Sequence, residues 1–357
     1  MKTLITANID DESLHRLEND IGLEIDYRPI AEREGRYPTD ELVGLLDGVE
    51  ILVVGFEGVS EEVLDAAEDL KIVACPRGGP DANVDIEAAT ERGIPVLYAP
   101  GRNAVSVADF TLGLVLAVTR NVAHGHHLLH TGTYTGEPRA DSASGGERED
   151  VTWGVAKGSP YVDLKGPELA NKTLGIVGLG AIGQRVADRA AGFDMEIKGY
   201  DPFIDAEQMA EWGVEKADLH DLCRDADVVT VHAPVTDATR GLIGTEEFDL
   251  MPESAYFVNT ARGAIIDQEA LVAELEAGTL RGAALDVYDE EPLPDDHRLL
   301  ELPNVVTTPH LAGAAEEVID RHSKMVADDI EAVLDGHEPD HVANGEVLSA
   351  VAGGGGD

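Results

Sequence analysis

The sequence predicts an α/β protein made of two doubly wound parallel-sheet domains. Three observations carry that expectation. The chain has 357 residues, more than one ordinary core accommodates and enough for two domains. Short apolar runs alternate with amphipathic stretches through the first hundred residues, and a second β-α-β series runs from Thr173 to about Pro309.

In the first series, residues 4–7, 51–54, 72–75 and 96–97 are apolar runs of strand length. Ser60 before Glu61-Glu62-Val63-Leu64 predicts a helix start with a capping serine and acids in its first turn. Residues 84–89 predict another short helix, ended by Gly93. Residues 103–120 predict a long helix bridging the two domains, apolar enough to be buried on several sides. From His130 to Gly166 the pattern dissolves into Gly, Ser, Pro, Glu and Arg, which predicts a long surface loop ordered by a partner subunit or by substrate. Trp153 and Tyr161 imply that part of it packs against something.

In the second series the expected strands are 174–177, 196–200, 228–232, 256–259, 282–286 and 305–308. Residues 314–334 form a last helix, with Val318, Arg321/His322, Met325 and Asp329/Ile330 marking its turns. The chain ends in a flexible glycine-rich tail, 346–357.

Composition narrows the function. Seventy acidic against 26 basic residues give a formal charge of −44, spread along the chain rather than gathered in a tail. Such a surface repels nucleic-acid phosphates and anionic lipid, so neither is an expected partner. It implies adaptation to high salt, where the Debye length falls to about 3 Å and self-repulsion is screened. No run approaches the ~20 apolar residues of a bilayer span, and residues 1–10 lack the pattern of a secretory signal. Cys75 and Cys223 lie far apart without ligand spacing, which suits a reducing cytoplasm and a soluble protein without a cysteine metal site. His124, His126, His127 and His130 cluster near the end of the long helix. His126 and His130 could share a helix face, but capping or packing there is expected rather than metal.

The strand at 174–177 runs straight into Gly178-Leu179-Gly180-Ala181-Ile182-Gly183, followed by a helical pattern. Gly178 suits the tight turn, Gly180 a close approach of pyrophosphate, and Gly183 the packing of helix on strand. The helix start at Ala181 and Ile182 offers free amides and a positive dipole end to phosphates. Asp201 ends the next strand, where a carboxylate can accept from ribose hydroxyls and would repel a 2′-phosphate. No arginine follows within 202–206, so NAD is expected rather than NADP.

Three later segments put chemistry at predicted strand ends: Asn259-Thr260-Ala261-Arg262-Gly263, Asp286-Val287-Tyr288-Asp289-Glu290-Glu291-Pro292, and Thr308-Pro309-His310. In an open α/β sheet these ends face the ligand edge, the edge of the glycine loop. Together with His232-Ala233-Pro234 and Ala99-Pro100-Gly101-Arg102-Asn103, they resemble the D-isomer-specific 2-hydroxyacid dehydrogenase family, over about residues 51–344. That family includes phosphoglycerate dehydrogenases and glyoxylate/hydroxypyruvate reductases.

The resemblance implies a Rossmann dinucleotide domain at 103–312 and a discontinuous, flavodoxin-like substrate domain at 1–102 and 313–345, with 131–166 as an inserted loop. The two would close during the reaction, and a homodimer would form through the central domain. It implies Arg262, Glu291 and His310 as the catalytic trio. Arg262 would clamp the substrate carboxylate and 2-oxygen, His310 would exchange the hydroxyl proton, and Glu291 would orient the imidazole and raise its pKa. Asp289 and Glu290 adjoin Glu291, and the family pattern selects the acid before the proline. By resemblance, Asp286 contacts the nicotinamide amide, His232, Ala233, Pro234 and Ala261 belong to the cofactor site, and the Gly78-Gly79 backbone binds the substrate carboxylate.

Two departures concern substrate. Residues 54–58, Val-Gly-Phe-Glu-Gly, form an apolar and acidic loop where phosphoglycerate dehydrogenases carry basic residues, so a non-phosphorylated D-2-hydroxy acid is expected, with 3-phosphoglycerate as runner-up. The loop Gly78-Gly79-Pro80-Asp81-Ala82-Asn83 differs in detail from the family pattern. The rival readings are an NAD-sensing corepressor on the same fold, which needs no proton relay, and formate or phosphite oxidation; a formate enzyme would carry glutamine at the place of Glu291.

Overall fold

A computed structural model describes residues 1–135 and 159–348. Part of the expected 131–166 loop, with Trp153, and the last residues of the expected tail lie outside the described residues. The chain divides into two compact units, Met1–Asn103 with Ala314–Asp357, and Ala104–Gly313.

The first unit holds five parallel strands, β1 (Lys2–Ile5), β2 (Glu24–Tyr27), β3 (Ile51–Val53), β4 (Ile72–Cys75) and β5 (Val96–Tyr98). Their order is β2-β1-β3-β4-β5, the flavodoxin-like order. Alternate residues point to opposite faces, and both faces are covered. Leu4, Leu52, Val73 and Val96 join one apolar cluster, while Ile5, Val53, Ile72 and Leu97 join another with Val326 and Ile330. Strands buried on both sides need apolar residues at every position, which is why they read as continuous runs. Strand β2 escapes that reading because it is an edge strand, Glu-Ile-Asp-Tyr, with no fully buried residue.

Two sequence expectations in this unit need correction. Ser60 does occupy the N-cap position before Glu61–Ala66, but its side chain makes no capping hydrogen bond. The helix expected at 84–89 runs Ile86–Glu91, because Asp85 takes the N-cap and its carboxylate accepts from the Ala88 amide at 3.0 Å. In the last helix, Glu316–Leu334, the expected markers Val318, His322, Asp329 and Ile330 are buried with Val326 and Val333, and Met325 lies at the margin.

The second unit carries seven parallel strands, β6 (Thr173–Val177), β7 (Glu196–Tyr200), β8 (Glu215–Lys216), β9 (Val228–Val231), β10 (Tyr256–Asn259), β11 (Gly282–Leu285) and β12 (Val305–Thr307). The order β12-β11-β10-β9-β6-β7-β8 places β6 between β7 and β9, so the winding reverses at its carboxyl end. Open α/β sheets bind ligands at that switch point. The exposed two-residue β8 is too short to carry a pattern.

The helix Ala104–Thr119 buries Ala108, Leu112, Val115 and Val118 in one cluster with Leu174, Ile176, Val186 and Val258. Its packing therefore belongs to the second unit. Asn121, at φ 54°, breaks it from the helix Val122–His130. Among the described residues no single helix is long and apolar enough to cross a membrane. Part of the expected 130–166 segment packs, since Ser159 is buried and Gly166 lies against Thr119, while Tyr161 is 69% exposed on the short helix Pro160–Asp163.

Candidate active site

The glycine turn sits at the end of β6. Gly178 has φ +93°, and a Cβ there would lie 2.8 Å from the Ala233 amide nitrogen, so the turn is pressed against His232-Ala233. At Gly183 a Cβ would meet the Gly178 carbonyl oxygen at 2.1 Å. At Gly180 it would meet nothing within 4 Å, so that backbone faces open space. The helix Ala181–Ala191 follows, with Ala181 exposed and Ile182 half-buried at its start. Close backbone packing below and an open approach above are what a dinucleotide pyrophosphate needs, so the residues present fit NAD.

Asp201 at the end of β7 is half-buried. Its Oδ2 accepts from the Leu179 amide at 3.0 Å and its Oδ1 from the Phe203 amide at 3.0 Å. The carboxylate thus holds the glycine loop itself while remaining accessible. His232 is buried, and its Nε2 lies 3.0 Å from the Thr230 hydroxyl. Burial pushes its pKa down to about 3, so the ring is neutral, and among the described residues its Nδ1 has no partner. Pro234 follows as the start of a turn, its carbonyl accepting from the Thr239 hydroxyl at 2.6 Å.

Arg262 stands just past β10, and Asn259 shapes its turn. The buried Asn259 side chain accepts from the Ala261 amide at 2.9 Å and donates to the Arg262 carbonyl at 2.9 Å. Thr260 is anchored by the Thr111 hydroxyl at 2.9 Å. The Arg262 guanidinium is exposed, with Nη1 donating to the Ala261 carbonyl at 2.6 Å. Gly263 then passes so close to the next strand end that a Cβ would overlap the Tyr288 carbonyl at 2.1 Å. The arginine turn and the acid loop are in backbone contact there.

Tyr288 connects that loop to the histidine. Its amide donates to Glu291 Oε1 at 3.1 Å, and its hydroxyl donates to the carbonyls of Leu285 and Thr308, each at 3.0 Å. Burial pushes the phenol up to about 12, so it stays a donor. Glu291 Oε2 lies 2.7 Å from His310 Nδ1. Asp289 instead donates its amide to Gln268, and Glu290 is exposed with no bond to the imidazole. Among the described residues, Glu291 alone of the three acids reaches His310.

His310 adopts φ 55°, a left-handed conformation that costs a non-glycine residue energy unless its surroundings enforce it. Asp286 enforces it. Its carbonyl accepts the His310 amide at 2.9 Å. Its carboxylate accepts from the Thr308 hydroxyl at 2.6 Å and from the Leu311 and Ala312 amides at 2.8 Å each. Asp286 is 0% exposed, and its carboxylate holds the turn that presents His310. Beside the pair opens a cavity of ≈ 480 Å³ lined by Tyr288, Glu291, Leu293, Leu300, Thr308 and His310.

In the first unit, Gly78 is exposed and Gly79 half-buried just beyond β4. Among the described residues neither amide donates to a protein acceptor. Glu57 reverses its expected role. It is 0% exposed, and its Oε2 accepts from the Thr6 hydroxyl at 2.8 Å and the Gly55 and Phe56 amides at 3.0 and 3.1 Å. The 54–58 loop therefore shows no carboxylate to a ligand, and it holds no basic residue either.

Residues 112–312 match the family model described as D-isomer specific 2-hydroxyacid dehydrogenase, NAD binding domain. The chain belongs to the D-isomer-specific 2-hydroxyacid dehydrogenase family. The dehydrogenase is 40% identical to a glyoxylate reductase of Thermofilum pendens, over 81% of this chain and 79% of that protein. It is 38% identical to a D-3-phosphoglycerate dehydrogenase of Methanocaldococcus jannaschii, over 96% of this chain but 59% of the longer relative. The crystal structure of the TT0316 protein from Thermus thermophilus superposes with a TM-score of 0.78 at 35% identity, covering 96% of this chain and all of the other. Membership makes this an NAD-dependent dehydrogenase of 2-hydroxy acids, and the matched stretch contains both the glycine turn and the Arg262, Glu291 and His310 segments.

The dehydrogenase also uses residues that sequence reading left without a role. Asn259, Tyr288 and Thr308 are polar groups at or just past strand ends, and that placement was their only signal. In the histidine cluster, the rings of His126 and His130 pack 4.1 Å apart on the helix Val122–His130. His220 lies 3.0 Å from Glu247, which also accepts the Gly244 amide and so caps the helix Thr245–Leu250.

Proposed function

We propose that this dehydrogenase interconverts a small 2-oxoacid and the corresponding D-2-hydroxy acid, with Arg262, Glu291 and His310 as catalytic residues. The observation that carries the assignment is the 2.7 Å contact between His310 Nδ1 and Glu291 Oε2 at the mouth of the cavity. An ionised carboxylate only accepts, so Nδ1 carries a proton and Nε2 is left to exchange one with the substrate. In oxidation Nε2 takes the hydroxyl proton; in reduction it returns one to the 2-oxygen. Bound NAD supplies the hydride acceptor. Arg262 presents a fork of donors to the carboxylate and 2-oxygen, and the free Gly78 and Gly79 amides hold the carboxylate. Ala181, Ile182 and Gly180 receive the pyrophosphate, Asp201 the ribose, and Ala233, Pro234 and Ala261 line the cofactor's path.

The reading is tested by NADH oxidation with a panel of 2-oxoacids at molar salt, and no turnover on any of them overturns it. A corepressor role predicts NAD binding without turnover in the same assay. A non-phosphorylated substrate is what the 54–58 sequence favours. With Glu57 turned inward, the loop still offers no basic side chain to a phosphate.

The dehydrogenase is further proposed to be a cytoplasmic homodimer in a salt-adapted cell. Two buried free cysteines support the compartment. Val122, Leu129, Tyr161 and Val162 expose an apolar face in the second unit that a second copy would cover. The charge of −44 supports salt adaptation, and unfolding on dialysis into dilute buffer is its check. Sedimentation as a monomer at molar salt would refute the dimer.

A further inference from the structure

Strands β11 and β12 are paired as far as Leu285 and Thr307, and there the loop that carries Glu291 leaves the sheet. Asp286, at the start of that loop, holds the turn that presents His310. The acid itself lies further along, and a catalytic pair works only when held within about 0.5 Å of its productive geometry. Something must therefore fix the loop beyond Asp286.

Tyr288 fixes it. Its side chain folds back on its own loop, and its hydroxyl oxygen lies 3.0 Å from the Leu285 carbonyl oxygen and 3.0 Å from that of Thr308. A phenol has one proton to donate, so the two carbonyls share it. One carbonyl belongs to the chain that leads to Glu291, and the other stands two residues before His310. The Tyr288 amide donates to Glu291 Oε1 at 3.1 Å, which leaves Oε2 facing His310 Nδ1 at 2.7 Å. The hydroxyl thus pins the loop to both strand ends, and the amide of the pinned residue sets the carboxylate.

The bridge has firm supports. Tyr288 is 8% exposed, and its carbonyl is packed against the backbone of Gly263. The next amide, that of Asp289, donates to Gln268, which is buried at the start of the helix Gln268–Ala277. Burial raises the phenol to about 12, so the donor persists through the whole range in which an imidazole exchanges protons. A phenylalanine would fill the same space and leave the two carbonyls without their common donor.

We infer that Tyr288 is a positioning residue: its hydroxyl, bridging the ends of β11 and β12, holds Glu291 on His310 for proton exchange. The inference rests on the proposed reaction and adds a residue to it. Tyr288 acts through Glu291, so its hydroxyl matters to turnover only while that acid is present.

The test is Tyr288→Phe, alone and combined with Glu291→Ala, assayed with NADH and a 2-oxoacid at fixed molar salt. Phenylalanine keeps the ring and the amide, and NAD titration with a thermal melt checks the fold. Tyr288→Phe is expected to lower kcat about tenfold, the worth of one buried hydrogen bond, with KM for NADH unchanged. The pH midpoint of D-2-hydroxy acid oxidation should move toward acid, because a carboxylate held less closely favours the charged imidazole less. In the Glu291→Ala background the same change should cost less than about twofold, since nothing is left to position. Equal losses in both backgrounds, or no loss in either, overturn the inference. So does a lower melting temperature with kcat and the pH midpoint unmoved, which is the mark of packing alone. If no 2-oxoacid turns over, the reaction reading fails, and NMR of protein carrying isotopically labelled histidine still decides the positioning. The Nδ1 proton of His310, assigned by its loss in His310→Ala, lies far downfield when bonded to a carboxylate. Its upfield shift or loss to exchange in Tyr288→Phe sustains the bridge, and an unchanged resonance overturns it.

Discussion

Glu291 Oε2 lies 2.7 Å from His310 Nδ1, and the same carboxylate takes the Tyr288 amide on its other oxygen at 3.1 Å. The acid is therefore held by the backbone of its own loop while it orients an imidazole from the neighbouring strand end. Removing the base should be the most damaging single change. His310→Ala is expected to lower kcat by about 10²–10⁴-fold, the usual share of general acid–base catalysis. Glu291→Gln should lower kcat less, because an amide can still bond Nδ1. Turnover of either variant at the wild-type rate, measured by NADH absorbance at molar salt, counts against the trio.

Asp286 has no exposed surface and accepts from Thr308, Leu311 and Ala312. Asp286→Ala leaves three donors without partners and releases the left-handed turn at His310. The expected result is a loss of about 3 kcal/mol or more of unfolding free energy, together with a fall in kcat. If the residue touched only the cofactor, KM for NAD would rise with stability intact, and denaturant titration separates the two outcomes.

Two glycines of the cofactor turn should respond differently to alanine. At Gly183 the added carbon meets a carbonyl oxygen at 2.1 Å, so Gly183→Ala should cost about 1–3 kcal/mol in stability and also weaken NAD. At Gly180 nothing lies within 4 Å, so Gly180→Ala should fold normally and lose NAD affinity alone. Thermal melts paired with NAD titration check both, and equal melting losses would refute the distinction.

The acid side of the stability curve should carry the mark of His232. Burial lowers its pKa to about 3, below the ~6.5 of an unfolded histidine, so between those values the unfolded chain binds more protons. Stability then rises with pH: the contribution is complete above about pH 6.5 and drains away as the pH falls toward 3. From pH 7 to pH 5 the loss is about 2 kcal/mol by linkage. His322, also lowered by burial, adds in the same direction. His232→Gln should flatten this limb in urea titrations, and an unchanged slope would show that the ring is solvated.

Much of this site is readable from the amino-acid order, and the reasons are local. Strands β6, β9 and β10 are buried on both faces, so their residues are apolar at nearly every position and the runs stand out. Gly178 and Gly183 stand where any side chain would collide with backbone, so their spacing is itself a record of contact. Strands β2 and β8 are not readable because each is partnered on one side and largely exposed, which removes the hydrophobic constraint. Ser60 shows the limit of a local rule: the residue type and place suit a cap, and the hydroxyl does not make the bond.

What the linear chain settled by itself was its family, its two α/β units, its use of NAD and the residues that could carry a proton, since each depends on a short-range pattern that burial or backbone geometry imposes. Only the folded arrangement decided where the charges point. Glu57 and Asp286 are acids by sequence alone, and backbone amides bind both carboxylates and set their directions. A side chain's direction and its partners come from strands brought together across long stretches of chain, and no local pattern records them.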